Sequence, residues 1–115
     1  MEILVVKSAI SREKLQAMAT EQFGDFVKAV VDTSQGIMAV GGELHADEEV
    51  YLTEHEGSKR EFMWGVNFYP ARTDETWIEF DSMINLKPGL GNTSRGVEDS
   101  TVREKIIAIV ERLIS

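Results

Sequence analysis

Between residues 27 and 85 the chain is a succession of extended, apolar-rich runs joined by connections of only a few residues, which constrains the fold more than any other feature. "VKAVVDT" (27–33) is β-branched, and the turn "TSQG" (33–36) leads into "IMAVGGELH" (37–45), where Met38, Val40 and Leu44 alternate with Ala39, Glu43 and His45. After a turn at 46–48, "EVYLTEH" (49–55) reads as another strand, and "EGSK" (56–59) as a hairpin turn with Gly57 at positive φ. "REFMWGVNFY" (60–69) puts Phe62, Trp64, Val66 and Phe68 on one face, and "TWIEFDSMIN" (76–85) does the same with Ile78, Phe80 and Ile84. Connections this short join antiparallel neighbours, so the expectation is a meander.

Helical patterns flank this region. "EILVVK" (2–7) is a short strand, and Ser11 caps a helix in which Leu15, Met18, Ala19 and Phe23 recur at helical spacing before Gly24 ends it. Strand, helix and strand in this order predict a crossover that places the first two strands parallel. Near the C-terminus Asp99 caps a helix with Val102, Ile106, Ile109, Val110 and Leu113 on one stripe. Both stripes need burial, so the pattern predicts an α+β two-layer sandwich. It has a mostly antiparallel sheet of about six strands, in the order β-α-β-β-β-β-β-α, with two helices on one face. The 115 residues fit a single domain.

The net charge of −8 repels a phosphate backbone, and the densest basic pair, Lys59–Arg60, is flanked by Glu56 and Glu61, so nucleic acid is not an expected partner. With no cysteine, thiolate metal sites, disulfides and thiol nucleophiles are excluded. No apolar run approaches bilayer length, and the run at 3–6 is shorter than a signal peptide's apolar region; the expectation is a cytoplasmic protein without a membrane partner.

If the helices cover the face of Met38, Val40 and Leu44, then Glu43, His45 and Asp47 lie on the open face, joined by Asn67, Glu79, Asp81 and Asn85. Imidazole with carboxylates is a ligand set for a divalent metal, for which Glu43, His45 and Asp47 are the candidates. Glu43, His45, Glu79 and Asp81 are equally an acid–base set. The alternative is a solvated polar face, as antiparallel sheets commonly show, with Lys59 or Arg60 across from Glu79 and Asp81. The loop "LKPGLGNTSRGVED" (86–99) carries three glycines before a helix and invites a phosphate. It lacks the P-loop ending, however, and Glu98 and Asp99 occupy the helix start. Asn85, Asn92 and Arg95 are its candidate ligand contacts.

"FGDFVKAVVD", "GELHAD", "WIEFDSMIN" and "SRGVED" before the charged C-terminal helix resemble a family of short prokaryotic proteins known as a domain of unknown function. The resemblance covers nearly the whole chain. It implies a complete natural domain and carries no activity, cofactor or catalytic residue. Two functions follow from the residues. One is a binding or assembly module whose open sheet face, with Trp64 or Trp77 nearby, meets a second copy or another protein or small molecule. The other is a small metal-dependent or acid–base enzyme that uses the carboxylates and histidine of that face.

Overall fold

The computed structural model describes residues 2–115, and their architecture is α+β with a five-stranded, wholly antiparallel open sheet. In chain order the elements are β1 (Leu4–Val6), α1 (Arg12–Gln22), β2 (Val27–Asp32), β3 (Ile37–Val40), α2 (His45–Glu56), β4 (Met63–Phe68), β5 (Ile78–Glu79) and α3 (Ser100–Leu113). The strand order across the sheet is β1-β3-β2-β4-β5.

The first helix begins where expected: the Ser11 hydroxyl accepts from the Lys14 N–H at 3.0 Å. It ends with Gly24 at φ 100°, whose N–H returns to the Ala19 carbonyl at 2.6 Å. Asp99 caps α3 by accepting from the Thr101 N–H at 2.8 Å. Both helices pack on one face, where Leu15, Ile106 and Val110 meet Ala29, Val31, Met38 and Val66. Trp64 belongs to this core and is 5% exposed.

Two expectations are corrected. Residues 49–55 are not a strand, 46–48 are not a turn, and the strand read at 37–45 ends at Val40. Instead α2 runs from His45 to Glu56 and ends on Gly57, whose positive φ of 66° closes a helix rather than a hairpin. This third helix covers the other face, where Leu52 packs with Val30, Ala39 and Met63 and with Ile84 from the turn Met83–Asn85. The fold therefore has helices on both faces of the sheet. The last strand is also much shorter than 76–85, because the chain leaves the sheet after Glu79.

The topology follows from α2. β1 and β2 both run antiparallel to β3, which lies between them, so they are parallel to each other as the crossover through α1 requires. β3 and β4 are likewise parallel to each other on either side of β2, joined through α2. A meander survives only in the β2–β3 and β4–β5 hairpins.

Candidate functional site

α2 has to start close above β4, and the sequence provides for this at three residues. Gly41 adopts φ 91° to turn the chain out of β3. The fully buried Glu48 then reaches back, its Oε2 accepting from the Gly42 N–H at 3.0 Å, which fixes the turn to the first turn of the helix. Gly65 in β4 leaves room for the incoming histidine. A Cβ there would stand 2.5 Å from Ser82 and 3.1 Å from Cγ of His45, so a larger residue would push either wall outward.

His45 is 8% exposed, and its Nε2 lies 2.8 Å from the Val66 carbonyl oxygen. A carbonyl only accepts, so Nε2 carries the proton and Nδ1 of the neutral ring is a free acceptor. Burial lowers the imidazole pKa below its ordinary value, and Lys28 adds to this. The bond to Val66, the nearby Asn67 side chain, whose oxygen would accept from the charged ring, and the charge of Asp81 oppose it.

Beside His45, one rung of the sheet places Lys28 of β2, Asn67 of β4 and Glu79 of β5 directly opposite one another and therefore on one face. The Asn67 Nδ2 donates to Glu79 Oε1 at 2.9 Å and, at 3.4 Å, to the Asp81 carbonyl. The Tyr69 hydroxyl donates to the same Glu79 oxygen at 3.3 Å. Burial, followed by the charge of Glu79, raises the Tyr69 pKa and so keeps it a donor. With both amide hydrogens directed to acceptors, Asn67 Oδ1 is buried with no hydrogen-bond partner among the described residues. Asn67 itself is 6% exposed.

These residues surround a cleft of about 500 Å³ between the start of α2 and the β4–β5 edge of the sheet. His45, Asn67, Glu79, Asp81 and Arg95 all line it, together with Lys28, Tyr69 and Phe26. At its rim Arg95 Nε pairs with Asp81 Oδ1 at 2.7 Å, so the partner of Asp81 is Arg95 rather than Lys59 or Arg60. The exposed Leu44 and Met83 give the mouth an apolar border.

Five of the residues singled out in the sequence thus meet in one place; the others do not. Glu43 sits exposed in the turn before α2, and Asp47 faces solvent on the helix, so neither accompanies His45 into the cleft. The strand parity that grouped them fails because His45 and Asp47 are helical, two residues apart and on different sides. Among the described residues, no three His, Cys, Asp or Glu side chains form a group that could hold a metal ion.

Asn85 is fully buried and fully employed. Its Oδ1 accepts from the Gly65 N–H at 2.8 Å, and its Nδ2 donates to the Gly65 carbonyl at 3.0 Å and the Arg95 carbonyl at 2.9 Å. The side chain continues the β4 ladder where β5 has ended. Asn92 similarly holds the loop together, donating to the carbonyls of Asn85, Ser94 and Gly96 and accepting from the Glu98 N–H. Glu98 takes the N–H groups of Thr93 and Ser94 rather than those of the helix, and this lowers its pKa. The loop that invited a phosphate is closed on itself.

Lys28, Tyr69 and Glu48 were not anticipated. The signal for Lys28 was available, since it is the single charged residue within an otherwise apolar strand, "VKAVV".

No helix among the described residues is long and apolar enough to cross a membrane. A family model described as "Protein of unknown function (DUF5674)" matches residues 4–113. No curated protein and no solved structure matches the chain.

Proposed function

The chain belongs to the DUF5674 family, proteins of unknown function, and we propose that this domain binds a small polar ligand in the cleft between α2 and the β4–β5 edge. The observation that carries this is Asn67 Oδ1. A buried acceptor without a donor costs roughly 1–3 kcal/mol, and native proteins rarely leave one. Asn67 itself lines the cleft beside His45, whose Nδ1 is a second free acceptor, so a ligand N–H or O–H that shifts the Asn67 side chain slightly would reach both. The cleft volume lies in the range of small-molecule sites, with few polar groups converging on one region.

A second use of the same cleft is favoured by His45. Neutral, oriented by Val66 and close to two carboxylates, it has the arrangement of a general base. Of the acid–base set drawn from the sequence, His45, Glu79 and Asp81 share the cleft and Glu43 does not. Assembly through an open, aromatic sheet face has less support, because α2 covers part of that face and Trp64 points into the opposite core.

The test is a ¹H–¹⁵N NMR screen of the full chain against a diverse library of small polar compounds. Ligand binding in the cleft predicts shifts confined to residues 44–46, 65–69 and 78–82. Hits that cluster elsewhere, or no hits at millimolar concentration, would count against it.

A further inference from the structure

We propose that the ligand of this cleft is a small zwitterion, a molecule with a primary ammonium group and a carboxylate, as in amino acids. The ligand class presupposes the cleft site proposed above and is read from the order of charges along its floor. Lys28, Asn67 and Glu79 occupy one rung of the sheet, with a cation at one end, a carboxylate at the other and an amide between them. The two ends are two strand spacings apart, roughly 10 Å between backbones, and both side chains are long enough to lean inward.

An ammonium group has three N–H donors and no acceptor. Three residues that line the cleft carry an acceptor without a donor among the described residues: Asn67 Oδ1, which a small side-chain shift would have to uncover, Nδ1 of His45, and Oε2 of Glu79, whose other oxygen already takes Asn67 and Tyr69. Two of these are neutral, so they suit a donor-rich group whose charge Glu79 balances. At the other end Lys28 supplies the cation for a carboxylate. Its ammonium stands 5.5 Å from the Phe23 ring and 5.6 Å from the Phe26 ring, with no carboxylate of the protein paired to it among the described residues.

The start of α2 borders the same cleft, and Leu44 at its N-cap supplies no side-chain acceptor to the first-turn N–H groups. Asp47 in that turn weakens the helix's own field, which leaves Lys28 as the principal counter-charge. Ligands with a single sign of charge fit less well. A net anion meets Glu79 and Asp81 in a protein of charge −8, and a net cation meets Lys28 and Arg95.

The experiment is an NMR titration of the full chain with glycine, β-alanine, γ-aminobutyrate and several α-amino acids. Methylamine, acetate and glycerol are run in parallel as controls that each carry only part of the pattern. At least one zwitterion is expected to shift residues 44–46 and 65–69 with an affinity about tenfold or more above every control. Lys28→Gln should lower that affinity about tenfold, with the amide spectrum otherwise preserved as evidence of folding. Controls that bind as well as the zwitterions would overturn the ligand class, and so would a zwitterion affinity untouched by Lys28→Gln; either leaves a polar-ligand cleft standing. If neither this panel nor the polar library shifts any cleft resonance, the cleft site falls together with its ligand class.

Discussion

Replacing Glu48 with Gln should stabilise the protein by an amount that grows with pH. Glu48 is completely buried, with Oε2 on the Gly42 N–H and Oε1 without a partner among the described residues. Burial raises its pKa well above that of an ordinary glutamate; Asp47 adds to this, while the Gly42 hydrogen bond and Lys28 oppose it. In the unfolded chain the group titrates near its ordinary value. Below that pH both states hold the proton and Glu48 makes no pH-dependent contribution. Above it the unfolded chain releases the proton while the folded chain retains it. Stability then falls by about 1.4 kcal/mol per pH unit until the folded pKa is passed. Glutamine keeps the volume and the acceptor for Gly42 but has no proton to lose. Urea denaturation of both proteins at pH 5, 6, 7 and 8 therefore isolates the effect, since all other groups cancel in the difference. The difference should rise at about that slope and then level off, and the pH of levelling reads the folded pKa. A difference independent of pH between 5 and 8, at unchanged m value, would refute the account of Glu48 as a buried, proton-retaining carboxyl.

Asn85→Ala removes three hydrogen bonds and strands the buried N–H and carbonyl of Gly65, so urea unfolding should show a loss of about 2–5 kcal/mol. A loss under about 1 kcal/mol would mean that water replaces the amide. Gly57→Ala meets no atom within 4 Å but forces a left-handed φ of 66° on alanine, predicting a loss of about 1 kcal/mol from backbone strain alone. For His45, long-range ¹H–¹⁵N NMR should find the Nε2–H tautomer and a pKa below 6.5. Its contribution to stability is then present above the unfolded pKa and is lost as pH falls towards the folded value; an Nδ1–H tautomer would contradict the bond to Val66, and a raised pKa would contradict burial as the dominant influence on the ring.

Much of the frame was legible. Ser11, Gly24 and Asp99 mark helix ends by chemistry that acts within a few residues, and the β-branched and apolar runs read as strands at 27–33, 37–45 and 60–69 contain β2, β3 and β4. What escaped was α2, for a physical reason. The buried positions of that helix are His45, Glu48 and Leu52, spaced by three and four residues as a helix requires, but two of them are ionisable. An apolar pattern cannot reveal a stripe that is two-thirds polar, while the exposed Val50 suggests a strand face that does not exist. Weaker signals pointed the right way: Asp47 and Glu48 in the first turn, and Gly57 just beyond the last. For the site, strand parity joined Asn67 with Glu79 correctly. It joined His45 with Glu43 and Asp47 wrongly, because parity holds only within a strand.

Once residues 45–56 are helical, the position of the cleft follows from handedness. The crossover from β1 to β2 steps over β3 through α1, and the crossover from β3 to β4 steps over β2 through α2, both in the same direction along the sheet. β3 runs opposite to β1. Two crossovers of one hand, stepping the same way from oppositely directed strands, must place their helices on opposite faces. That separates α2 from α1 and α3 and brings its first residue over Gly65 and Val66 of β4. The outer edge is left to the two-residue β5 and the turn at Met83–Asn85, and the cleft opens between that edge and the helix start. A leucine at position 45 would fit the helix pattern better but would close this opening with an apolar side chain. The polar residue that hides α2 from the sequence pattern is therefore the one that gives the cleft its chemistry.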